Sequence, residues 1–416
     1  MSHCTDYQRF AGHRDLRPPR AEATMSLLLT QSLTAFFCTL AAIVAFAPLA
    51  MRLGLVDTPT ERKQHAETVP LIGGIAIFIT FCVGALIWGD AEGASLIIRD
   101  KNALGVLMGC CAFLVITGAL DDRYNLGVFL RVVSEVLVAL IIIELTGLQL
   151  VWLGDLIGVG EIRMPPSISY IFTAIAIFGL MNAFNMLDGI DGLLASLVIT
   201  TIIGFHLFTA QAPGLISLFI ASALSAFLIS NLRLSPLIPK TFLGDAGSKL
   251  LGFIVVCLLL SAASGQVGGQ KLIQPVTALY LVAIPLFDMV FTTVRRAIRK
   301  GSPFAADRSH IHHLILDLGF SHRRALVMIV AMNATATGLG LLLHRLQAPE
   351  YYQMGIFVGT FVLYSLLVSQ AWRVAGRIAA IKSEALDIGD SESAEERAGA
   401  NTARDRNENA VTPLRR

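Results

Sequence analysis

The eleven residues N-A-F-N-M-L-D-G-I-D-G, at positions 182 to 192, end an apolar run that begins near residue 168. Their polar side chains recur at every third position: Asn182, Asn185, Asp188 and Asp191. Three residues turn a helix by about 300°, so the first two or three members share one face. Gly189 and Gly192 predict that the helix ends there and that Asp191 lies in the turn beyond. Amides and carboxylates at the end of a membrane helix are costly unless they bind something, so this stretch predicts the floor of an active site.

The composition of the whole chain is that of a membrane protein. Of its 416 residues, 55% are hydrophobic and only 15% are charged, and the mean hydropathy is +0.67. Soluble proteins carry roughly 25% charged residues. The sequence therefore predicts an all-α, polytopic integral membrane bundle, in which each span needs about 20 apolar residues. The six cysteines include no C-x-x-C pair and indicate neither a disulfide framework nor a zinc knuckle.

The apolar runs divide the chain into three parts. Residues 1–25 are a polar extension without the apolar core of a signal peptide, and Met25 is an alternative start. Residues 26–375 form the membrane domain, and residues 376–416 are predicted to be a disordered cytoplasmic tail. Eleven spans are predicted in the membrane domain: 27–51, 71–88, 103–120, 129–146, 168–187, 193–210, 213–232, 250–264, 274–292, 325–343 and 353–372.

The distribution of Lys and Arg predicts the orientation. One set of loops, which includes the tail, holds 23 of the 32 Lys and Arg residues, and the alternate set holds 5. By the positive-inside rule the first set is cytoplasmic, which places the N-terminus outside and the C-terminus inside. The polar clusters of the sequence then all face the cytoplasm, although they are far apart along the chain.

Two further acidic motifs lie at this face. A-L-D-D-R-Y-N ends the third span with Asp121 and Asp122, and Asn125 and Arg131 follow as donors for phosphate oxygens. Adjacent carboxylates raise each other's pKa unless a cation intervenes, and the alternative is a solvated helix end. T-F-L-G-D-A-G-S, residues 241–248, puts Asp245 between glycines before the eighth span. We interpret Asp245 as a Mg²⁺ ligand, with a simple helix N-cap as the alternative.

Two basic segments lie on the same face. Residues 295–313 include Arg308 and three histidines, His310, His312 and His313. The positive-inside belt explains part of this charge, and zinc binding is an alternative. However, H-x-H-H has no nearby thiolate or helical H-x-x-x-H pair, so contact with phosphate or sugar is the preferred interpretation.

The other basic segment and a nearby acid leave alternatives open. Lys63 and His65 could meet lipid headgroups or a phosphorylated substrate. Asp288 is either structural, paired with an arginine such as Arg295, or functional. Carboxylates, cations and a predicted site for Mg²⁺ at one membrane face suit phosphoryl transfer involving a diphosphate and a lipid substrate.

Four motifs carry a family resemblance. D-D-R-Y-N, N-A-F-N-M-L-D-G-I-D-G, F-L-G-D-A-G-S and D-R-S-H-I-H-H, in this order and spacing, resemble the polyprenyl-phosphate N-acetylhexosamine-1-phosphate transferases of the glycosyltransferase 4 type. The resemblance runs from about Met25 to the last span. R-K-Q-H…P-L-I-G-G and H-I-H-H are more similar to the bacterial undecaprenyl-phosphate N-acetylglucosaminyl-1-phosphate transferases than to the branch that transfers phospho-MurNAc-pentapeptide.

The resemblance implies a reaction and a setting. UDP-GlcNAc and undecaprenyl phosphate would give undecaprenyl-diphospho-GlcNAc and UMP, with Mg²⁺ as cofactor and Mn²⁺ as its substitute. The protein would lie in the bilayer of the bacterial inner membrane, with its active site facing the cytoplasm. A homodimer is the assembly considered, and no nucleic-acid partner is expected.

The resemblance also implies residue roles. Asp245 would bind the metal with Asn185, while Phe242 would stack on uracil and Asp191 would hold the nucleoside. Asp188 would belong to the catalytic acids and Asn182 to the substrate contacts. The remaining roles are contacts to the lipid phosphate by Asp121 and Asp122, to phosphate by Arg131, and to the sugar-phosphate side by His310, His312 and His313. Asn125 stands where close bacterial relatives often carry a third acid, so a strictly acidic D-D-x-x-D metal site is not expected.

The preferred mechanism is a direct in-line attack. A phosphate monoester has a second pKa near 6, so the lipid phosphate is largely a dianion at neutral pH and needs little help from a base. Asp121 would position this nucleophile or accept a residual proton. A two-step path through an aspartyl phosphate is the alternative. Other functions left open are transfer from another UDP-N-acetylhexosamine, transport of an anionic lipid with the carboxylates as a proton relay, and a non-catalytic scaffold.

Overall fold

The protein is a bundle of apolar helices with two short β-ribbons. The computed structural model describes residues 19–58, 67–89, 101–265, 271–298 and 310–378. The helices in this part of the chain are α1 (Pro19–Leu53), α2 (Gly73–Trp88), α3 (Lys101–Tyr124), α4 (Val128–Thr146), α5 (Pro166–Leu187), α6 (Leu193–Thr209), α7 (Leu215–Asn231), α8 (Gly244–Ser264), α9 (Pro275–Leu281), α10 (Ala283–Ile298), α11 (Ile311–Asp317), α12 (His322–Arg345) and α13 (Glu350–Ile378). Two antiparallel ribbons join β1 (Val56–Asp57) to β2 (Val69–Pro70) and β3 (Trp152–Gly154) to β4 (Ile162–Arg163).

Helices lie at the positions of all eleven predicted spans. Within the described residues, six helices are long and apolar enough to cross a membrane, and there are seven if the bent pair α9–α10 counts as one span. The shorter apolar helices α2, α6 and α7 have 16 or 17 residues. The multi-pass, all-α class is therefore confirmed, while the count of eleven crossings and the orientation stay predictions.

The ninth predicted span differs from a simple helix. It consists of α9 and α10, which meet at an angle of 87°. Helix α1 begins at Pro19, inside the segment predicted as a polar extension, and α13 runs to Ile378. The rest of the predicted extension and most of the predicted tail lie outside the described residues.

Helix α8 is the centre of the bundle. All its side chains from Ala246 to Ala263 are buried, and α2, α3 and α5 pack around it. Small residues allow this close packing, because a Cβ at Gly118 would lie 2.5 Å from Ala246 Cα and one at Gly74 would collide with the backbone of Gly247. The first turn of α8 is thereby pressed against the last turns of α3.

A second apolar core joins α10 to the two helices at the end of the described chain. Phe287 on α10 contacts the rings of Phe357, at a centroid distance of 4.9 Å, and Tyr364, at 5.7 Å. Ile311 and Leu314 of α11 are buried in the same cluster. This core fixes α10 and α11 beside the end of α5.

Candidate active site

Asp122 caps the central helix from a neighbouring helix. Its carboxylate accepts hydrogen bonds from the backbone N–H of Asp245, at 2.9 Å, and of Ala246, at 3.4 Å. These are N–H groups of the first helical turn, which have no partner within the helix. Gly244 has a φ of +68°, and a Cβ there would collide with the Asp122 carboxylate, so this glycine is required both for conformation and for space. Two of the predicted acidic motifs therefore meet directly.

Asp121 lies in a buried ion-pair network. Its Oδ2 is 3.4 Å from Lys249 Nζ and 3.5 Å from Arg131 Nη1. Lys249 also contacts Glu135 Oε1 at 3.5 Å and Asp245 Oδ2 at 3.4 Å. The sequence analysis did not identify Lys249 as a site residue, although a lysine just inside an apolar run is itself a signal of function.

The first two amides of the 182–192 stretch face the centre of the bundle. Asn182 Nδ2 donates to Glu135 Oε2 at 2.7 Å, and Asn185 Oδ1 accepts a hydrogen bond from Ser248 at 2.7 Å. Helix α5 ends at Leu187, and Gly192 has a φ of +78°. The predicted helix end is confirmed, and Asp191 lies in the turn between α5 and α6.

Asp188, the residue that follows α5, is surrounded by negative charge. Burial, followed by the neighbouring carboxylates of Asp245, Asp122 and Asp191, raises the pKa of Asp188 to about 8. Like charges and desolvation both favour the protonated acid, and a bound cation would reverse this effect. The 182–192 stretch therefore joins the two acidic motifs of α3 and α8.

Lys240 belongs to the site but was not identified from the sequence. Its Nζ lies 2.6 Å from Asp191 Oδ2 and 4.9 Å from the centroid of the Phe242 ring. Asn231 fixes the same segment, because it accepts a hydrogen bond from the N–H of Gly192 at 2.6 Å and donates to the carbonyl of Thr241 at 2.9 Å. Phe242, Lys240 and Asp191 thus form one wall of the site.

Asp288 anchors residues 310–313, which hold the three histidines and are called the histidine segment below. It receives hydrogen bonds from His310 Nδ1 at 2.7 Å, the N–H of Ile311 at 2.9 Å and the hydroxyl of Tyr364 at 3.1 Å. Arg295 lies over the Trp372 ring, 4.6 Å from its centroid, and its pairing with Asp288 stays a prediction. Asp288 is therefore the residue that positions His310.

His312 brings α11 against the turn after α5. A Cβ at Gly189 would collide with its Nε2, so the ring lies directly on this glycine. Burial, followed by His313 and His310, holds the pKa of His312 well below its usual range, and the imidazole is neutral at pH 7. The His312 ring lies 4.2 Å from that of His313 and 5.9 Å from that of His310. The three histidines are thereby brought to the acids of α3, α8 and the α5–α6 turn.

Other predicted residues lie at the edge or beyond the described chain. Asn125 is exposed with a φ of 49°, and its N–H donates to the Asp121 carbonyl at 2.8 Å, which is the geometry of a helix C-terminus. Arg131 is 38% exposed at the start of α4. Lys63, His65 and Arg308 lie outside the described residues.

The donor atoms of the acidic cluster fit Mg²⁺ better than zinc. In the described part of the chain, no three His, Cys, Asp or Glu side chains are placed to hold one metal ion. Mg²⁺ is usually bound by only one or two carboxylates, with substrate phosphates and water completing its shell. Asp188, which faces three acids, and Asp245 offer such oxygens, and Asn185 can add its amide oxygen.

Comparison with known proteins identifies the family. The sequence model of glycosyl transferase family 4 matches residues 104–263, which cover most of α3, all of α4 to α7 and most of α8. The undecaprenyl-phosphate alpha-N-acetylglucosaminyl 1-phosphate transferase of Yersinia pestis is 36% identical over 353 residues, which are 83% of this chain and 93% of the relative.

Two relatives of the same name give similar values. The protein of Escherichia coli (strain K12) is 38% identical over 341 residues, 80% of this chain and 89% of the relative. The protein of Haemophilus influenzae is 34% identical over 356 residues, 82% of this chain and 94% of the relative. The family matched by the four motifs is therefore confirmed, and the chain belongs to glycosyl transferase family 4.

Proposed function

We propose that the protein transfers GlcNAc-1-phosphate from UDP-GlcNAc to undecaprenyl phosphate, giving undecaprenyl-diphospho-GlcNAc and UMP. This would be the first membrane step of a cell-envelope glycan, at the cytoplasmic face of a bacterial inner membrane. The proposal agrees with the names of the relatives. The observation that carries it is the meeting of the acids of α3, α8 and the α5–α6 turn with His312 at one point.

The acidic half of the site suits a divalent cation. Asp245, Asp188 and Asn185 would hold Mg²⁺, or Mn²⁺ in its place. When bound, the ion would offset negative charge on the diphosphate oxygens. This role is supported by the carboxylates that surround Asp188, because a cation would stabilise them in their charged forms.

The wall formed by Asp191, Lys240 and Phe242 suits the nucleotide. The Phe242 ring would stack on uracil, since aromatic side chains and bases stack favourably. Lys240 lies between this ring and Asp191, so its ammonium can meet a phosphate oxygen while Asp191 holds the nucleoside. The histidine segment would meet the sugar-phosphate side, and the neutral ring of His312 can either donate or accept a hydrogen bond.

The contacts of Asp121 favour a one-step reaction. An oxygen of the lipid phosphate would form a bond to the β-phosphorus of UDP-GlcNAc. The bond from that phosphorus to the bridging oxygen breaks, and UMP leaves with the electron pair. Asp121 is 4% exposed and is already paired with Lys249 and Arg131, which makes its carboxylate a poor nucleophile. Its role is then to position these two cations near the incoming phosphate.

The test is UMP release by purified full-length protein in detergent. UDP-GlcNAc and a panel of other UDP-sugars are supplied with and without undecaprenyl phosphate and Mg²⁺. We expect release only when UDP-GlcNAc, the lipid and the metal are all present. Release with a different UDP-N-acetylhexosamine alone would overturn the proposed sugar. No release with any sugar, from protein shown to be folded, would overturn the transferase and favour lipid transport.

A further inference from the structure

A cleft between α10 and α13 combines two arginines with apolar side chains. Its volume is about 410 Å³, which is in the range of about 300–1,000 Å³ that small-molecule sites occupy. Of the described side chains that line it, Arg295 and Arg373 are basic and none is acidic. A cleft lined by charge of one sign attracts the opposite charge, so this one suits an anion.

The cleft lies beyond the contact that anchors the histidine segment. Asp288 on α10 meets Tyr364 on α13, and seven or eight residues later along both helices Arg295 meets Trp372. The two helices therefore run in parallel, and seven residues of helix span about 10 Å. Arg295 is in the last turn of α10, an end that the predicted topology places in the cytoplasmic leaflet.

The polar part of the cleft is suited to a phosphate group. The Arg295 guanidinium stacks on Trp372, with its central carbon 4.6 Å from the ring centroid. Arginine can stack in this way and still bind phosphate oxygens through the planar fork of its N–H groups. Arg373 follows Trp372 on α13, and Ser369, one turn earlier, adds a hydroxyl donor. A phosphate here would meet cations from two helices.

The apolar part of the cleft follows one face of α10. Phe291, Val294 and Ile298 line it at helical spacing, so they lie on the same side of the helix. Val294 is 51% exposed and Ile298 is 77% exposed. A small soluble anion would leave this apolar wall uncovered. A phospholipid would cover the wall with an acyl chain while its phosphate meets the arginines.

We propose that the cleft binds an anionic phospholipid of the cytoplasmic leaflet, with its phosphate on Arg295, Arg373 and Ser369 and an acyl chain along α10. Basic pockets between membrane helices on the cytoplasmic side bind such headgroups. The general positive-inside belt explains arginines at helix ends, but not their convergence with a hydroxyl and an aromatic wall in one cleft. The cleft includes none of the acids or histidines of the proposed reaction, so the proposal does not depend on that reaction.

The fluorescence of Trp372 tests the occupant of the cleft. The chain has three tryptophans, so full-length protein with Trp88→Phe and Trp152→Phe keeps only this one. It is reconstituted in phosphatidylcholine vesicles with a minor fraction of brominated phosphatidylglycerol or brominated phosphatidylcholine, whose bromine atoms quench a nearby indole. One arginine near an anionic lipid contributes about fivefold, so we expect a preference for phosphatidylglycerol of at least about tenfold.

Charge variants separate the cleft from the general belt. Arg373→Gln does not remove the contact between Arg295 and Trp372, and we expect it to lower the preference about fivefold. Arg295→Gln combined with Arg373→Gln should abolish it. Arg377→Gln is the matched control, because Arg377 lies one turn further along α13 and does not line the cleft. No preference in the wild-type cleft, or an equal loss in Arg377→Gln and Arg373→Gln, would overturn the proposal.

Competition distinguishes a phospholipid from other phosphates. Unlabelled phosphatidylglycerol should relieve the quenching of Trp372. Relief by inorganic phosphate at constant ionic strength would indicate a site for a free anion, and equal relief by undecaprenyl phosphate would assign the cleft to the acceptor lipid. Either result would overturn the proposal. A second reporter protein that keeps only Trp88, at the end of α2, should show no preference, and a preference equal to that at Trp372 would also overturn it.

Discussion

Lys240 makes the central contacts of the nucleotide wall, which is the wall of the site formed by Asp191, Lys240 and Phe242. It joins Asp191 and the Phe242 ring, and its side chain is only 15% exposed. A hydrogen bond to a charged group contributes about 1.5–3 kcal/mol, so we expect Lys240→Met to raise the KM for UDP-GlcNAc by about tenfold or more. The value of kcat is expected to change less. Lys240→Arg serves as the charge-conserving control, and an unchanged KM in Lys240→Met would remove this residue from the nucleotide wall.

The raised pKa of Asp188 predicts a pH dependence of metal binding. A carboxyl with a pKa of about 8 is mostly protonated at pH 7, and binding of a cation must release that proton. Mg²⁺ affinity should therefore rise with pH, by up to about tenfold per pH unit below 8, and level off above it. The Mg²⁺ concentration that gives half-maximal UMP release, measured from pH 6.5 to 9, checks this. In Asp188→Asn, this Mg²⁺ concentration should depend less on pH, to the extent that activity remains. An equally steep pH dependence in that variant would assign the titration to another group.

At the scale of single residues, sequence reasoning identified the acids but not their partners. Asp121, Asp188 and Asp245 stand in motifs whose residue types already indicate metal and phosphate chemistry. Lys249, Lys240 and Glu135 act through pairs between segments far apart in sequence, at separations from 49 to 128 residues for the hydrogen bonds of the two lysines. Such pairs depend on how helices pack, which the local pattern does not contain.

At the scale of helices, the packing of α3 on α8 gives a sharp prediction. A Cβ at Gly118 would lie 2.5 Å from the backbone of Ala246, whereas one at Gly109, on the same helix, would meet nothing within 4 Å. We expect Gly118→Ala to destabilise the protein by about 1–3 kcal/mol, because overpacking forces the helices apart. Gly109→Ala should be neutral or slightly stabilising, because alanine favours helix more than glycine does.

The measurement is the thermal unfolding of both variants in the same detergent, together with their UMP release. Gly118→Ala should also lose activity, since the separation of α3 from α8 moves Asp122 from Asp245. Equal stability and activity of the two variants would contradict the close packing of these helices.

The positions of the helices were predicted well, and their interruptions were not. Long apolar runs are sufficient to place α1 to α8, α12 and α13, because a membrane helix needs a continuous apolar segment. Residues 274–292 are predominantly apolar on both sides of the break, so hydropathy could not show the 87° bend between α9 and α10. The bend turns α10 so that Asp288 reaches His310, a consequence of the second apolar core.

At the scale of the whole molecule, the orientation remains a prediction from charge. The loops rich in Lys and Arg are expected in the cytoplasm with the acidic clusters and α11. Alkaline phosphatase, which is active only outside the cytoplasm, should be active when fused after Ala348 and inactive when fused after Ile378. The reverse pattern would place the active site on the outer face, away from a cytoplasmic nucleotide sugar.

The bundle explains why motifs so far apart belong to one site. Helix α8 is buried along its length and receives α3 and α5 at its first turns, while the second core brings α11 to the same place. The family assignment and this convergence were both accessible from the sequence. The motifs indicated the family, and the alternation of loops along the predicted spans placed the polar clusters at one membrane face. The distances that decide which acid is free and which is paired required the packed structure.

The most direct test of the account asks which bond of the nucleotide sugar is broken. Purified protein is given undecaprenyl phosphate, Mg²⁺ and UDP-GlcNAc that carries radioactive phosphorus at the β-phosphate. We expect label in the lipid fraction, an equal amount of unlabelled UMP, and a loss of both by at least about 100-fold in Asp245→Asn. Label that stays with UDP while sugar reaches the lipid, or label transfer that survives in Asp245→Asn, would contradict the proposed transfer.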